Sequence, residues 1–390
     1  DRRNQQILDL PLDPAALADP IAAEMARIEG LPEDTVGQVA EKEALYSALL
    51  ESAATTRARL AADTWCAAFV AVKTPEHPAI TDDTARTAGE NPAGLTPEQR
   101  SEIDGLTEQY QFLHWHIAFP QVFKVDLGAG GDTGALGGFD LILGNPPWET
   151  MSPDRREFMG PYVPEIRAMS PEEQEVAIDE ALSTPRLSDL YTTYRRNLFG
   201  QVHFLKNSGR YTLYAKGNLG KGDFNIYRNF VETALRNTRP AGFAAQVTPG
   251  GLYGGANTSA IRHHLLDQCE LRQILGLINT KRHWFPKVDI DRFAAYSARP
   301  GDKTVRFEAR FGLAETADLA RPAVTVPAEL IRQQAPDTYA IPDLRNAFEM
   351  TVAAKMVDAH PKFGDVDAGP PIRHFQSELH MGNDSGLFTT

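Results

Sequence analysis

The sequence predicts an α/β protein with a helical segment at its N-terminus. Apolar segments of strand length are separated by stretches with helical spacing, and this alternation is typical of an α/β sheet. The first part of the chain is instead rich in Ala, Leu, Glu and Arg at helical spacing. A length of 390 residues leaves room for two or three domains. We therefore expect packed helices first and a sheet after them.

The elements follow in chain order. Residues 13–72 are predicted to form packed helices, residues 73–100 carry the Pro, Gly, Thr and charges of a surface linker, and residues 97–113 form a short helix. Strands are predicted at residues 139–144, 242–249, 271–279, 291–298 and 305–313, with an antiparallel pair near the end of the sheet. Further helices are predicted at residues 224–237, 258–268 and 344–359.

The charge of the chain is unevenly distributed. The net charge of −13, taken alone, argues against a surface made for nucleic acid. Residues 191–222, however, contain no acidic residue, and their basic side chains are interleaved with Tyr and Phe. Such a stretch suits contacts with phosphates and bases, and an ordinary solvated face is the alternative. Its basic residues are Arg195, Arg196, Lys206, Arg210, Lys216 and Lys221.

Cysteine content and apolar runs bear on the cellular setting. Cys66 and Cys269 are too few for a disulfide framework or a four-ligand zinc site, so a reducing, cytoplasmic location is expected. No apolar run approaches the roughly 20 residues of a membrane span, and the N-terminus lacks the apolar core of a signal peptide. Without an initiating Met or a closing helix, the chain is expected to be a piece of a longer polypeptide.

The strand predicted at residues 139–144 ends in the sequence Asn145, Pro146, Pro147 and Trp148. In open α/β sheets, ligands bind beyond the carboxyl ends of the strands, where this sequence falls. The prolines fix the backbone and remove N–H donors, which leaves carbonyl acceptors, and the Asn side chain adds one more. The Trp ring offers a stacking face. The four residues suit a planar group with two hydrogens on one nitrogen, such as a nucleobase amine; a turn without function is the alternative.

A Gly-Asn-Pro-Pro-Trp sequence after an apolar strand resembles motif IV of the N6-adenine DNA methyltransferases that use S-adenosylmethionine. Its surroundings are similar to the large methylases of restriction-modification and phage-defence systems, namely the Type IIG-like, BREX and DISARM enzymes. The resemblance covers roughly residues 110–313. The similar segments are residues 114–123, residues 222–253 for motifs V and VI, residues 278–296 for motif VIII, and residues 375–388 for the entry to a target-recognition region.

The resemblance implies the target-base half of a Rossmann-like, S-adenosylmethionine-dependent methyltransferase fold. The family's glycine loop and acidic residue for the methyl donor are absent from the sequence, so the main cofactor-binding loop is expected outside this chain. The Gly-rich residues 127–138 lack the strand and helix that such a loop needs and read as a connector. The implied regions are a helical insertion and linker at 1–110, the catalytic region at 111–315, and the start of a target-recognition or connector module at 316–390.

The resemblance also implies roles for single residues. Asn145 to Trp148 would be catalytic, while Trp148 and Phe285 would stack on the two faces of a flipped adenine, across a slot about 7 Å wide. Asn225 and Tyr227, at the start of the motif V helix, are pocket candidates. The implied activity is site-specific methylation of adenine N6 in double-stranded DNA, with other defence-system subunits as further candidate partners.

Two other functions stay open on the sequence. One is methylation of a glutamine amide in a protein, because Asn-Pro-Pro-aromatic sequences also occur in the methyltransferases of release factors. The other is DNA binding by a methylase fold that has lost catalysis. A metal site is not predicted, because His114, His116, His263 and His264 lack matched ligands in the sequence.

Overall fold

The computed structural model describes residues 14–125, 135–215, 224–288 and 290–359. Lys216, Lys221, most of the Gly-rich segment at 127–138 and the segment at 375–388 lie outside the described residues. The helices are α1 (Pro14–Glu29), α2 (Val36–Glu51), α3 (Ala53–Val70), α4 (Asp82–Glu90), α5 (Pro97–Tyr110), α6 (Trp115–Ala118), α7 (Arg155–Met159), α8 (Pro171–Leu182), α9 (Pro185–Asn207), α10 (Thr212–Ala215), α11 (Tyr227–Asn237), α12 (Gly251–Gly254), α13 (Ser259–Asp267), α14 (Ala328–Gln334) and α15 (Ala347–Ala359). The strands are β1 (Phe123–Val125), β2 (Ala135–Gly137), β3 (Phe139–Gly144), β4 (Thr238–Pro249), β5 (Cys269–Ile278), β6 (Arg292–Pro300), β7 (Arg306–Leu313) and β8 (Val324–Pro327).

The N-terminal helices pack around α3, as the helical spacing predicts. The linker predicted at residues 73–100 is wrong in its middle, where α4 forms and packs against α3. Thr81 and Thr84 begin this helix with a reciprocal capping box, and Ala85 and Ala88 are buried. The segment reads as a linker in sequence because its buried side chains are small and its exposed ones are polar.

A six-stranded sheet forms the second part of the chain, in the order β3-β4-β6-β5-β7-β8. β3 is parallel to β4 and β5 is parallel to β7, whereas β6 runs antiparallel to both of its neighbours, β4 and β5. β8 is antiparallel to β7. The five predicted strands are confirmed, and the fold class is confirmed as a mixed α/β architecture. Four strands therefore run in one direction and place their carboxyl ends at the same edge.

One face of the sheet carries the main hydrophobic core. Helices α11 and α13 pack there through Val231, Leu235 and Leu265, and Ala244 and Ile274 point toward them from the strands. A close approach fixes one position, because a Cβ atom built on Gly276 would lie 2.3 Å from a ring carbon of Phe311. β5 and β7 therefore need glycine at this crossing.

β3 is the outer strand of the sheet among the described residues, although its sequence is a nearly continuous apolar run. Leu141 and Leu143 on this strand are 54% and 69% exposed. A parallel strand with apolar residues on both faces is typical of a position inside a sheet. The outer edge of β3 and the face that carries Leu141 and Leu143 are thus left uncovered by the described residues.

The sheet continues beyond the catalytic boundary predicted at residue 315. Val324 and Val326 of β8, Leu330 of α14 and Met350 of α15 belong to the same hydrophobic cluster as α11 and α13. The division of the chain into three functional regions stays a prediction. No helix within the described ranges is both long and apolar enough to span a bilayer.

Candidate functional site

The carboxyl edge of the sheet brings together the loops that follow β3, β4, β5 and β7. Helix α11 leads directly into β4, so its first turn lies at this same edge. The motif IV residues follow β3, Phe285 follows β5, and Asn225 precedes α11. The fold therefore gathers at one edge the residues that the sequence resemblance assigns to catalysis, base stacking and the pocket.

The four motif IV residues differ in exposure. Asn145 and Pro147 are exposed and Pro146 is buried. The Asn145 side chain makes no hydrogen bond to another described residue. Trp148 is partly buried, and its indole Nε1–H donates to the carbonyl oxygen of Val247 at 3.3 Å. The loop thus holds the Trp ring in a fixed orientation and presents the Asn amide to solvent.

A short antiparallel contact joins this loop to the segment before α11. Asn225 Nδ2 donates to the carbonyl oxygen of Trp148 at 2.8 Å, and Thr150 forms an isolated β-bridge with Asn225. On either side of this bridge, the amide of Ile226 donates to Glu149 O at 3.0 Å and that of Met151 donates to Phe224 O at 2.7 Å. Asn225 therefore acts on the site by holding the motif IV loop in place.

Tyr227 lies in the core. Its side chain is buried, its hydroxyl lies beside Gly251, and burial raises its pKa to about 12. The amide of Tyr227 donates to Asn225 Oδ1 at 3.3 Å, so the residue helps to orient Asn225. Tyr227 as a pocket residue stays a prediction, and its buried ring belongs to the hydrophobic cluster that α11 and α13 form with the sheet.

The rings of Trp148 and Phe285 lie on the same side of the sheet, and both are partly buried. Their centroids are 5.7 Å apart and their planes are inclined by 79°. The expected parallel slot about 7 Å wide is therefore wrong for this structure. Edge-to-face contact is a preferred arrangement for two aromatic rings at this distance. Phe293 packs against both rings.

Asn279 was missed in the sequence, although it stands directly after β5 as Asn145 stands after β3. Its side chain is buried and makes hydrogen bonds to the loop that carries Phe285. The signal was present, because an Asn that ends an apolar strand needs polar partners once it is buried. Trp284, in the same loop, donates its indole N–H to the carbonyl oxygen of Leu313 at 3.1 Å.

The basic residues of 191–222 that the structure describes lie on α9 and just after it, and all are exposed. Arg195 stacks between Tyr191 and Phe199, with its guanidinium carbon 5.9 and 5.8 Å from the two ring centroids. Lys206 lies 5.5 Å from the ring of Phe224, next to the site. None of Arg195, Arg196, Lys206 and Arg210 forms an ion pair with a described residue.

Arg196 differs from its neighbour on the helix. It lines a cavity of about 260 Å³ between α3, α5 and α9, together with Tyr110 and Glu102. Arg195 and Lys206 are instead eleven positions apart, about three helical turns, and share one face. The candidates for contact with nucleic acid are therefore not one continuous surface.

Two of the candidate histidines, His114 and His263, contact other side chains in the described part of the chain. His114 Nε2 lies 2.7 Å from Asp63 Oδ1, and the ring of His263 stacks on that of Tyr339. Burial, with smaller effects of His114 and Arg210, lowers the pKa of His116 to about 4. Within the described part of the chain, no group of three or more His, Cys, Asp or Glu side chains suits a metal ion.

Comparison with known proteins gives remote structural likenesses. No protein-family model and no curated protein matches the chain. Among solved structures, the chain is similar to the DrdV–DNA complex at 11% identity and a TM-score of 0.30, covering 52% of this chain and 18% of that one. It is also similar to a modification subunit of a putative type I restriction enzyme from Vibrio vulnificus YJ016, at 13% identity and a TM-score of 0.23, covering 73% and 62%.

A third similar structure is the M protein of the Type I restriction enzyme EcoKI. The identity is 12% and the TM-score 0.27, with 89% of this chain and 93% of that chain covered. The chain spans less than two thirds of the DrdV and Vibrio vulnificus proteins. With TM-scores well below 0.5, the three likenesses assign no activity to this chain.

Proposed function

We propose that this chain carries the target-base half of a site-specific DNA adenine-N6 methyltransferase from a restriction-modification or phage-defence system. The observation that carries the proposal is the exposed Asn145 side chain, with no hydrogen bond to a described residue, at the carboxyl edge of the sheet. Trp148 and Phe285 stand at this edge in direct contact. A polar acceptor beside two aromatic rings is suited to a planar amine that has left the DNA stack.

The proposed chemistry starts from the weak nucleophilicity of adenine N6, whose lone pair is delocalised into the ring. Asn145 Oδ1 and the Pro146 carbonyl oxygen would each accept one hydrogen of the amine. Two such acceptors favour a tetrahedral nitrogen with a directed lone pair, and stabilise the positive charge that develops there. No covalent intermediate with the protein is needed. One proton leaves the nitrogen after methyl transfer, and the other stays on the N6-methyladenine product.

Trp148 and Phe285 would hold the extruded base. In their edge-to-face contact there is no room for a base between them, so one ring must move before stacking begins. Trp148 is held by its bond to Val247 and through its carbonyl oxygen by Asn225. The Phe285 ring has no hydrogen-bonding atom and is held by packing against Trp148 and Phe293, so we expect it to be the ring that moves.

The methyl donor is proposed to be S-adenosylmethionine, which supplies the methyl group when bound. The succession of β4, the glycine-rich residues 250–255 and α13 begins in the segment that resembles motifs V and VI, so we do not assign it to the methyl donor. Its main binding loop therefore stays expected outside this chain. The uncovered edge of β3, with Leu141 and Leu143 exposed, supports a proposal that further polypeptide completes the sheet there.

The two alternatives differ from this proposal in product. A glutamine methyltransferase would modify a protein amide, and a catalytically inactive methylase fold would bind DNA without modifying it. The polypeptide between the motif IV loop and the motif V segment includes α7, α8 and α9, and the last carries exposed basic residues that form no ion pair with a described residue. Such residues favour DNA over a protein amide as substrate.

The test is mass-spectrometric detection of N6-methyladenine in unmethylated plasmid DNA incubated with the full-length protein and S-adenosylmethionine. We expect the modified base with the natural protein and a loss of about 100-fold or more in rate with Asn145→Ala, which removes one oriented acceptor. Asn91→Ala, an exposed Asn after α4, is the matched control and should keep full activity. Near-full activity of Asn145→Ala would contradict the motif IV assignment.

A further inference from the structure

We infer that Asn279 is a positioning residue for the proposed base-stacking ring of Phe285, an inference that rests on the proposed function. Asn279 directly follows β5 at the carboxyl edge of the sheet and is 2% exposed. Its own amide donates to the carbonyl oxygen of Asp291 at 2.8 Å, next to the start of β6. The residue thus stands at the base of the loop that carries Phe285.

The side chain of Asn279 uses all of its hydrogen-bonding capacity on this loop. Oδ1 accepts from the amides of Trp284 at 3.2 Å and Phe285 at 3.0 Å. Nδ2 donates to the carbonyl oxygens of Phe285 at 3.1 Å and Val288 at 3.3 Å. An amide side chain has two donors and two acceptor sites, and here each is occupied by backbone.

This arrangement fixes the backbone of Phe285 from both sides, because its N–H and its C=O both bond to the same side chain. The ring itself is left to packing, with Trp148 and Phe293 as its neighbours. Because hydrogen bonds fix the backbone and only packing holds the ring, the ring can turn without a movement of the loop. Asn279 therefore fixes the position of the Phe285 backbone, from which the ring would stack on a base.

An alternative account is that Asn279 only stabilises the fold, as many buried polar residues do. The two accounts differ in whether the effect of the residue depends on Phe285. A positioning residue acts through the ring that it positions, so its loss costs little once that ring is gone. Loss of a purely structural residue would add to the loss of the ring.

The first experiment measures hydrogen exchange at the amides of Trp284 and Phe285. In Asn279→Ala we expect both to exchange at least about tenfold faster, because each loses its acceptor. Asn279→Asp keeps the acceptor oxygen, so its amides should stay close to the natural protection. Asn237→Ala, a buried Asn at the carboxyl end of α11, is the control and should not alter these amides. Unchanged exchange in Asn279→Ala would overturn the inference.

The second experiment is a double-mutant cycle in the full-length protein, with methyl transfer to unmethylated plasmid DNA as the readout. We expect Asn279→Ala to lower kcat by about tenfold or more and to leave the Kd for the DNA within about twofold, since duplex contacts lie elsewhere. The double variant Asn279→Ala/Phe285→Ala should be no slower than Phe285→Ala alone.

The outcomes separate this inference from the function on which it rests. Additive losses of kcat in the cycle, or a parallel fall in DNA affinity, would show a structural role and overturn the inference while methylation stands. Absence of N6-methyladenine with the natural protein would overturn the proposed function instead. If Asn279→Ala fails to fold, Asn279→Asp takes its place, because this variant keeps half of the hydrogen bonds. The kcat of Asn279→Asp/Phe285→Ala must then be no lower than that of Phe285→Ala alone.

Discussion

Trp148 and Phe285, 137 positions apart in sequence, meet edge to face with ring centroids 5.7 Å apart. The contact joins the loop after β3 to the loop after β5, across the two strands β4 and β6 that lie between them in the sheet. Both loops are held by an Asn side chain, Asn225 for Trp148 and Asn279 for Phe285. The two rings thus leave no space for a base between them, and a base can stack on Phe285 only after the rings separate.

The first prediction concerns this opening. Phe285→Ala removes one stacking face, and stacking on a base is worth roughly 1–3 kcal/mol by alanine substitution. In the full-length protein, we expect a lower signal from 2-aminopurine placed at the target adenine, with nearly unchanged duplex affinity. Phe348→Ala, an exposed Phe on α15, is the control. An unaltered 2-aminopurine signal in Phe285→Ala would remove this ring from the pocket.

A second prediction concerns the methyl donor. The isolated chain of residues 1–390 should bind S-adenosylmethionine weakly or not at all, because its sequence lacks the glycine loop and the acidic residue used by the methyltransferases whose motif IV it resembles. Isothermal titration calorimetry on the isolated chain is the measurement. Micromolar affinity would mean that the cofactor site lies within this chain, with residues 127–138 as the first place to look.

The sheet and its site could be predicted from the sequence to different extents. Strand positions follow from apolar runs such as that of β3, and the motif IV residues stand out because an Asn, two prolines and a Trp directly follow such a run. The helix α4 could not be predicted, because Ala85 and Ala88 give too small an apolar signal in a segment with Pro, Gly and charges.

The geometry between distant residues could not be predicted at all. The sequence indicates that Trp148 and Phe285 share an edge, but the angle between their rings depends on Phe293, which packs against both. The role of Asn279 could not be predicted for the same reason, because the four backbone groups that bond to its side chain lie in a loop whose path is set only by the fold. Local sequence patterns predict strands and motifs, whereas tertiary contacts determine the angle between the rings and the role of Asn279.

A third prediction tests the uncovered edge of β3. In the isolated chain, Leu143→Lys should change the free energy of unfolding by no more than about 0.5 kcal/mol, because the side chain is 69% exposed. Leu277→Ala, in the buried part of β5, should cost about 2–5 kcal/mol. Urea unfolding followed by circular dichroism measures both.

The same Leu143→Lys substitution should behave differently in the full-length protein. If further polypeptide completes the sheet at β3, a charge at this position becomes buried and destabilises the assembly, with loss of S-adenosylmethionine binding. Equal tolerance of the Lys in both proteins would mean that the edge stays open, and the proposal of a completed sheet would be withdrawn.

A fourth prediction follows from His116. Burial lowers its pKa to about 4 from the ordinary 6.5, so the unfolded chain binds the proton first as the pH falls. The contribution of the neutral His116 ring to the free energy of unfolding is therefore present above pH 6.5 and is lost as the pH falls toward 4. The full shift corresponds to at most about 3 kcal/mol, and we expect roughly half of this because the ring is only partly buried.

His116→Gln is the matched variant for this effect, since it keeps a polar planar group without the titration. Chemical unfolding at pH 7 and pH 5 should show a smaller loss of stability for the variant than for the natural chain. The same loss in both proteins would assign the acid sensitivity to groups other than His116.

The last prediction concerns α9, where Arg195 and Lys206 share one face and Arg196 lines a cavity instead. If the shared face contacts DNA phosphates, Arg195→Gln and Lys206→Gln should each weaken duplex binding independently of sequence. Each should also reduce the slope of log K against log salt by about 0.9, the contribution of one phosphate contact. Fluorescence anisotropy of a labelled duplex at several salt concentrations gives both values. Arg196→Gln is the control, since it removes the same charge one position away, and an equal change in slope for all three variants would mean that net charge rather than this face governs binding.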